Sequence, residues 1–513
     1  MKIKAALHRF KHLLSRRFFI VLLILLQVAF FIFMIFQYSH LRWISTLLRL
    51  ISLATAFHLL MRDDQKPFKL SLIFLLLLFP LFGGIFYWIL HFQTSEVGYR
   101  KRLDKIERNL RNEYGKSEKS TAEICAQMPE HQRLIRYLQD AREFPVYGST
   151  ETHYFPTGGE MLESLLRDLR SAKSYIFLEY FIIEEGIMWD SILEVLRQKV
   201  AEGVDVRVIY DDFGCFLSLP PKYDRKLRAM GVQCRIFNKV LPFISGSHNN
   251  RDHRKIAVID GRVAYTGGIN LADEYINEKI RYGHWKDNAI RLCGLGAWNF
   301  TVMFLQMWQF LSRTDEQIDK FLPPETETPE SEDGWVQPYT DSPVDKESVG
   351  EQVYAQIIES AQRYLYITTP YLMVDDSMLS LLKYAAKCGV DVRIITPSTP
   401  DKKVVHFTTR SYYRELIRAG VQIYEYTDGF IHAKSFISDD TVATVGTTNL
   451  DFRSLYFHFE CGVCLYRTSS ILPLKEDFLR VLERCRPITE ADCKANLLVR
   501  LLRSICRLVA PLM

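Results

Sequence analysis

The sequence lacks the cysteine patterns that would indicate a disulfide framework or a structural zinc site. Its 513 residues include ten cysteines, which are scattered without a repeating spacing. Cys461 and Cys464 form a close pair, but no second pair stands near enough to complete a zinc site. We predict that both are buried in an apolar strand. Unpaired thiols in this number favour a reducing, cytoplasmic location for the globular part of the chain.

Acidic residues are missing from the beginning of the chain, and a long apolar run follows. Residues 1–17 are basic without an Asp or Glu, and residues 18–38 are apolar apart from Gln27 and, near the end, Gln37. A run of this length is sufficient to cross a bilayer as a helix. Its end lacks the small residues of a cleavage site, so we predict a retained anchor rather than a signal peptide.

Two more apolar segments complete a predicted membrane anchor at residues 1–95. Residues 70–92 form the second predicted span, although they contain a Pro and a Gly pair, which membrane helices tolerate. Residues 43–61 are ambiguous, because Arg49 would be costly at the middle of a bilayer. The basic segment 96–144 is predicted to be a juxtamembrane connector. Since basic segments stay in the cytoplasm, we expect an even number of crossings and a globular part on the cytoplasmic face.

The central pattern of the sequence is a His-x-Lys-x4-Asp motif that occurs twice. In both copies an Asn stands ten residues after the Asp. The members are His253, Lys255, Asp260 and Asn270 in the first copy, and His432, Lys434, Asp439 and Asn449 in the second. A single copy could equally be surface residues on an ordinary strand, but two copies at matched places of an internal repeat are a strong signal.

The motif suits chemistry at phosphorus. The apolar run after each Lys predicts a strand, on which the His and Lys point to the same face. The Lys can bind non-bridging phosphate oxygens, and the Asn can donate amide hydrogen bonds to them. One imidazole can attack phosphorus while the other carries protons as general acid and base. We therefore predict these residues as the catalytic and phosphate-binding groups, with no metal and no cofactor.

Each catalytic histidine needs a hydrogen-bond acceptor that fixes its tautomer. Asp287 and Glu460 follow the two motifs at comparable distances, and we predict that they orient the histidines. The sequence does not show which carboxylate serves which histidine. It also leaves open which of the two histidines is the nucleophile.

The two motif copies lie in two halves that repeat the same order of elements. Strand, helix and strand are predicted at 174–183, 190–201 and 203–209, and again at 363–368, 377–387 and 389–395. Alternating strands and helices indicate an α/β fold, and the copied order indicates duplication. We predict two lobes, residues 145–313 and 335–495, with mixed sheets flanked by helices and a pseudo-two-fold axis between them.

Two further segments differ from the lobes in composition. Residues 314–334 are acidic and rich in Pro, and we predict a solvated linker. Residues 496–513 place Arg at three- and four-residue spacing on a Leu-rich background, which predicts an amphipathic basic helix. Such a helix can lie at an anionic membrane surface or pack against the second lobe.

The two motifs resemble those of the phospholipase D superfamily, and the rest of the chain resembles its bacterial cardiolipin synthases. Two positions depart from the family pattern, since Asp252 and His458 stand where Asn is expected. The supporting segments are Phe79-Pro80-Leu81-Phe82-Gly83-Gly84, Leu178-Glu179-Tyr180-Phe181, Tyr210-Asp211-Asp212-Phe213-Gly214, Asp273-Glu274-Tyr275, Val336-Gln337-Pro338, Thr369-Pro370-Tyr371, Arg410-Ser411-Tyr412-Tyr413 and Asn449-Leu450-Asp451-Phe452-Arg453-Ser454.

The resemblance implies an enzyme of the bacterial inner membrane. It would transfer a phosphatidyl group between two phosphatidylglycerol molecules through a phosphohistidine, giving cardiolipin and glycerol. A hydrolytic phospholipase D and a membrane-tethered nuclease are the alternatives within the superfamily. The chain lacks a long basic track with interleaved aromatics near the motifs, so we do not expect nucleic acid as a partner. The sequence does not indicate an oligomeric state.

Overall fold

The chain forms two compact units, and the larger one, Arg100–Phe237 with Arg251–Pro511, holds both motif copies. The structure is a computed structural model that describes residues 29, 42–62, 66–79, 83–84, 87–88, 95–115, 117, 119–240, 250–323, 333–344 and 347–512.

The smaller unit contains two apolar helices, α1 (Arg42–Met61) and α2 (Lys66–Leu78), which pack against each other. The Trp88 indole N–H donates a 2.9 Å hydrogen bond to the Thr55 hydroxyl of α1. Several large apolar side chains of these helices are exposed, namely Leu47, Leu50, Leu53, Phe57, Leu60, Met61, Leu70, Leu77 and Leu78. Within the described residues, no helix has both the length and the apolar character that a membrane crossing requires. The predicted span 18–38 lies outside the described residues except for Ala29.

The larger unit begins with short helices and continues with the first half of the repeat. The helices are α3 (Ser95–Leu110), α4 (Thr121–Gln127), α5 (Gln132–Arg136), α6 (Gly158–Ser171), α7 (Ile187–Ala201), α8 (Tyr223–Ala229) and α9 (Ala297–Ser312). The strands are β1 (Thr150–Phe155), β2 (Tyr175–Tyr180), β3 (Asp205–Asp211), β4 (Gln233–Phe237), β5 (Arg251–Asp252), β6 (Lys255–Ile259), β7 (Val263–Gly267), β8 (His284–Lys286) and β9 (Ala289–Gly294). One-turn helices cover Arg111–Tyr114, Pro129–His131, Tyr137–Ala141 and Asp273–Ile276.

The second half of the repeat follows with its own helices and strands. The helices are α10 (Val349–Ser360), α11 (Asp376–Lys387), α12 (Lys403–Arg418), α13 (Phe452–Tyr456), α14 (Ile471–Leu482) and α15 (Leu497–Val509). The strands are β10 (Trp335–Asp341), β11 (Tyr364–Thr368), β12 (Leu372–Met373), β13 (Asp391–Pro397), β14 (Gln422–Tyr426), β15 (Gly429–Ile431), β16 (Ser435–Ser438), β17 (Val442–Gly446), β18 (Leu450–Asp451), β19 (His458–Tyr466) and β20 (Cys485–Ile488).

Each half builds a mixed sheet with the same strand order. The first sheet runs β1-β9-β7-β6-β2-β3-β4, and the second runs β10-β19-β17-β16-β11-β13-β14-β20. In both sheets the last three matched strands are parallel, while their other neighbours are antiparallel. The central strands β2 and β6 are buried along their whole length, which explains why they are apolar apart from Glu179 and Lys255. The predicted α/β fold of mixed sheets flanked by helices is confirmed.

Two short pairs of parallel strands join the lobes at the motifs. From the first half, β5 pairs with β19 of the second, with Arg251 opposite His458. From the second half, β15 pairs with β8 of the first, with Phe430 opposite Trp285. The exchange is reciprocal. In each lobe, the short strand immediately before the motif histidine pairs with a strand of the other lobe.

The motif aspartates lie at the far ends of the strands that follow the histidines. The Asp260 carboxylate accepts hydrogen bonds of 2.8 Å from the backbone N–H groups of Lys173, Ser174 and Tyr175. Asp439 does the same for residues 362, 363 and 364 at 2.7–2.9 Å. Each Asp stands five positions after the motif Lys along extended strand, a distance of about 17 Å. These carboxylates fix the start of β2 and β11 in the two sheets.

The segments outside the repeat differ partly from expectation. Within residues 314–334, a one-turn helix at Ile318–Phe321 is packed, because the Phe321 ring lies against Tyr175 and Phe177. The prediction of a solvated linker is therefore wrong for Ile318–Phe321. Cys461 and Cys464 are buried as predicted, and all ten cysteines, each within a described segment, are free thiols.

The C-terminal helix α15 turns Arg503 and Arg507 toward the protein and most of its leucines outward. It packs on α12, where the Arg507 guanidinium lies 4.4 Å from the centre of the Tyr412 ring and 3.0 Å from a Glu415 carboxylate oxygen. Arg503 lies over the Phe407 ring. The exposed apolar side chains of the helix are Leu497, Leu498, Leu501, Leu502 and Ile505. Arg503 and Arg507 thus lie on the face of the helix that packs against the protein. The residues that the structure describes do not cover the apolar face.

We predict that Asp260→Ala lowers the free energy of unfolding by about 2–3 kcal/mol. The substitution removes a charged acceptor of three backbone hydrogen bonds and places Ala at a φ of 51°, which Asp tolerates better. Denaturant unfolding of the full chain measures the change. Asp439→Ala is the matched variant and should lose a similar amount, whereas Asp260→Asn should lose less. An unchanged unfolding midpoint in both alanine variants would contradict this structural role.

Candidate active site

The two motif histidines are held by backbone contacts across the lobe boundary. His253 follows β5, and its backbone N–H donates a 2.9 Å hydrogen bond to the Phe459 carbonyl of the other lobe. His432 follows β15, and its backbone N–H donates a 2.7 Å hydrogen bond to the Lys286 carbonyl. The two contacts are equivalent in the repeat. Each histidine therefore takes its position from both lobes.

The imidazole rings are also paired across the boundary, with a carboxylate from the opposite lobe. The Nδ1 atom of His253 lies 2.9 and 3.0 Å from the two carboxylate oxygens of Glu460. The Nδ1 atom of His432 lies 2.7 Å from Asp287 Oδ2. A carboxylate can only accept, so the ring proton is assigned to Nδ1 and Nε2 keeps its lone pair. Both carboxylates contact a histidine, and the pairing that the sequence left open is crossed.

The surroundings of the two carboxylates differ at the residue after the first glycine of the Gly-x-x-Asn segment that ends each motif. Thr447 donates its hydroxyl to Glu460 Oε2. Gly268 stands at the matching place in the first copy, and a side-chain carbon there would overlap the Asp287 carboxylate. The Asn288 backbone N–H donates a 2.9 Å hydrogen bond to Asp287 Oδ1. One copy thus supports its carboxylate with a hydroxyl, and the other leaves room for the carboxylate beside the backbone.

The motif lysines are buried beside the histidines. Lys255 Nζ donates a hydrogen bond of 2.5 Å to the His253 carbonyl, and Lys434 Nζ donates to the His432 carbonyl. Burial lowers the pKa of Lys255 to about 8 and the pKa of Lys434 to about 7. An anion in the site favours the charged form of both groups. The pair is therefore suited to bind a phosphodiester, whose negative charge offsets the cost of burying two ammonium groups.

The histidines are neutral when the site is empty. Burial and the nearby Lys434 charge lower the pKa of His432 to about 4. Burial and the Lys255 charge hold the pKa of His253 well below its usual value. Burial opposes ionisation of Asp287, but His432 and Lys434 outweigh it and lower the pKa of this carboxyl. A neutral imidazole with a free Nε2 is the form that can attack phosphorus, and a bound phosphodiester favours protonation of the second ring.

The two motif asparagines are both buried but have different partners. Asn270 accepts a 3.0 Å hydrogen bond from the Ile182 backbone N–H and donates one of 2.7 Å to the Tyr275 hydroxyl. The Tyr275 ring in turn lies edge-on to His432, with 5.7 Å between ring centres. The Asn449 carboxamide oxygen has no hydrogen-bond partner among the described residues. Of the two residues predicted to bind phosphate, Asn449 therefore has a freer side-chain amide than Asn270.

Aromatic rings that sequence reasoning assigned no role surround the histidines. Phe181 and His458 lie 5.1 and 5.5 Å from His253, measured between ring centres. Trp285 lies 5.4 Å from His432. His458 and Trp285 each stand two residues before the orienting carboxylate, which is the signal that could have identified them. Ligand atoms of His253, His458 and Glu460 lie within 4.8 Å of one another, so these three could hold a metal ion.

Other segments of the family pattern support the lobes rather than the histidines. Glu179 is fully buried and forms an ion pair with Arg254. Tyr413 is buried and shares a 2.7 Å hydrogen bond with the Thr396 hydroxyl. Arg410 lies 3.3 Å from a Glu425 carboxylate oxygen. These contacts are made within the protein.

Comparison with known proteins relates the chain to cardiolipin synthases by sequence and to one solved phosphatidylserine synthase by fold. Residues 165–280 and 354–482 match the family model described as "Cardiolipin synthase, PLD-like domain". A cardiolipin synthase of Geobacillus sp. (strain WCH70) is 34% identical over 96% of this chain and 99% of its own length. A Streptococcus mutans protein, named only as uncharacterized, is 43% identical over 85% of this chain and 94% of its own. A phosphatidylserine synthase structure from Haemophilus influenzae shares the fold, with a TM-score of 0.55, 15% identity and coverage of 71% of this chain and 95% of that one.

We predict that Gly268→Ala slows phosphodiester turnover by about 100-fold, because the added carbon displaces Asp287 and tilts the His432 ring. Gly159→Ala is the matched control, since a side-chain carbon at Gly159 meets nothing within 4 Å. Initial rates of both variants, with thermal unfolding to check the fold, measure the effect. Full activity in Gly268→Ala would show that the position of Asp287 does not govern the rate.

Proposed function

The chain belongs to the cardiolipin synthase family, and from this premise we propose that it transfers a phosphatidyl group from one phosphatidylglycerol to another, giving cardiolipin and glycerol. The observation that carries the proposal is the pair of crossed His–carboxylate contacts at one site. A neutral imidazole that attacks phosphorus and a second imidazole that a bound phosphodiester protonates, beside two buried lysines, suit a double displacement at phosphorus.

In the first step, His253 Nε2 attacks the phosphorus of the donor lipid. A P–N bond forms, the P–O bond to glycerol breaks, and protonated His432 gives its proton to the departing glycerol oxygen. The phosphatidyl group is then held on His253. In the second step, His432 takes the proton from a glycerol hydroxyl of a second phosphatidylglycerol, whose oxygen attacks phosphorus. The P–N bond breaks, cardiolipin leaves, and both histidines return to their starting states.

The assignment of His253 as nucleophile is supported by its carboxylate. Both oxygens of Glu460 lie within 3.0 Å of His253 Nδ1, so a full carboxylate charge faces the ring that becomes cationic when phosphorus is bound. Asp287 offers His432 one oxygen and receives a backbone N–H on the other. We assign Lys255, Lys434 and the Asn449 amide to the non-bridging oxygens of the transferred group. The scheme uses no metal, since the lysines carry the positive charge.

We further propose that the enzyme is anchored in the bacterial inner membrane by spans at about 18–38 and 70–92, with the lobes on the cytoplasmic face. Exposed apolar side chains on α1 and α2 support an apolar surrounding for the smaller unit. The free thiols and the basic segment after residue 95 support the cytoplasmic side. Residues 314–334 and 496–513 then connect and follow the two catalytic lobes, 145–313 and 335–495.

The outward leucines of α15 fit a lipid surface at the second lobe. Five large apolar side chains are exposed on one helix, and Arg500 is exposed beside them. Apolar side chains can enter the acyl boundary while an arginine meets anionic headgroups, which the proposed substrate itself supplies. The helix would thereby hold the second lobe against the bilayer from which the lipid enters.

We predict that His253→Ala and His432→Ala abolish cardiolipin formation, each with a loss of at least about 1,000-fold. The first variant lacks the nucleophile, and the second lacks the general acid and base. Lipid analysis of a cardiolipin-free host that expresses each variant measures the product. The control is His153→Ala, which replaces an exposed histidine on β1. Phosphatidic acid in place of cardiolipin would indicate hydrolysis, and unchanged lipids with good expression would contradict the proposal.

The nucleophile can be identified in the same preparation. Rapid acid-free quenching and peptide mass spectrometry should place a phosphatidyl adduct on the peptide that contains His253. An adduct on His432 would reverse the two roles and leave the transfer itself intact.

We predict that Leu501→Asp raises the apparent KM for phosphatidylglycerol in vesicles several-fold without changing the rate on a dispersed short-chain analogue, since only the vesicle reaction requires docking. Leu472→Asp, on α14, is the matched control, because the two leucines are 55% and 54% exposed. Steady-state kinetics of the full chain on both substrates measure the split. An equal loss on the dispersed substrate would show that Leu501 acts through folding.

A further inference from the structure

The two catalytic histidines differ in the aromatic ring that packs beside them at one matched position. In the reciprocal strand pairs, His458 lies opposite Arg251, two residues before His253. Trp285 lies opposite Phe430, two residues before His432. Both rings pack at almost the same distance from their histidine, 5.5 and 5.4 Å between ring centres. One histidine therefore has an indole beside it, and the other has a second imidazole.

The second imidazole points a nitrogen at the orienting carboxylate of His253. His253 Nδ1 lies 2.9 Å from Glu460 Oε1, and His458 Nδ1 lies 3.6 Å from the same oxygen. Four ligands around a tetrahedral zinc ion, at bond lengths of about 2.0–2.1 Å, stand roughly 3.3 Å apart. Both nitrogens thus stand near this separation from Glu460 Oε1, and ligand atoms of the three residues lie within 4.8 Å of one another.

The His458 nitrogen is buried and unsatisfied. Its side chain is only 12% exposed, and at 3.6 Å its contact with Glu460 is too long for a hydrogen bond. Among the described residues, Nδ1 of His458 has no hydrogen-bond partner. An unpaired polar atom in such a place is costly, and coordination of a cation removes that cost.

We propose that His253, His458 and Glu460 bind a zinc ion or a similar transition metal that switches the enzyme off. Two imidazoles and a carboxylate form a ligand set that suits zinc, whereas Mg²⁺ and Ca²⁺ favour oxygen ligands alone. The matched site on His432 offers only its imidazole and Asp287, since Trp285 provides no ligand. The buried lysines oppose the charge of the ion, so the site should be weaker than a structural zinc site.

The inhibition follows from the ring's single proton and rests on the proposed function. Coordination takes the Nδ1 lone pair of His253, so the neutral ring carries its proton on Nε2. A protonated Nε2 has no lone pair with which to attack phosphorus. Coordination also removes Glu460 from its role as the acceptor that keeps the proton on Nδ1. Metal binding and phosphohistidine formation therefore exclude each other at His253.

The experiment is a titration of the metal-free full chain in detergent with Zn²⁺, using a chromophoric chelator as competitor and no lipid substrate. We expect one zinc per wild-type chain, and at least about tenfold weaker binding in His458→Asn. His284→Asn is the control, because His284 lies in the other strand pair with its Nδ1 2.9 Å from the Tyr426 hydroxyl. A Co²⁺ titration should give the visible absorption of a four-coordinate ion in wild type and His284→Asn but not in His458→Asn.

Cardiolipin formation is measured on the same proteins. Zn²⁺ should inhibit the wild type and His284→Asn, EDTA should restore both, and His458→Asn should stay active at zinc concentrations that stop the wild type. Equal zinc affinity in wild type and His458→Asn would overturn the site, as would zinc binding that leaves the wild-type rate unchanged. Zinc binding that depends on His458 in a chain that forms no cardiolipin would instead retain the site and reject the proposed function.

Discussion

The active site depends on a reciprocal exchange between the two lobes. Each lobe supplies a histidine together with the short strand before it, and receives in return a backbone carbonyl and a carboxylate for that histidine. Hydrogen bonds from two sides fix the position and the tautomer of each ring. These two backbone contacts and two carboxylate contacts also join the lobes. A change that moves one lobe relative to the other therefore also displaces both histidines.

Repetition supplies the symmetry of this site, and a few substitutions break it. Thr447 and Gly268 occupy one matched pair of positions, and His458 and Trp285 occupy another. The first difference changes how each carboxylate is supported, and the second changes the ring beside each histidine. Two histidines with equal surroundings would have equal reactivity. These differences give the two rings unequal surroundings, as a division into nucleophile and proton carrier requires.

The sequence was informative where a local pattern determines the structure. Strand and helix boundaries of the repeat were predicted to within a few residues, as for β3 and α11, because periodic apolar residues mark them. Asp287 and Glu460 were identified by spacing alone. Their crossed pairing depends on strand exchange, which no local pattern encodes. The packed turn at Ile318–Phe321 was missed for a similar reason, since the burial of Phe321 comes from Tyr175 and Phe177, far away in sequence.

Strand exchange also governs when the chain becomes reactive during synthesis. A ribosome completes the first lobe, with His253 and Lys255, long before Glu460 exists. Until β19 is made, His253 lacks the carboxylate that sets its proton and the carbonyl that holds its backbone. In the proposed mechanism, the His253 of an incomplete chain is therefore not yet able to act as the nucleophile. The site is complete only when the last strands of the second lobe have joined the first.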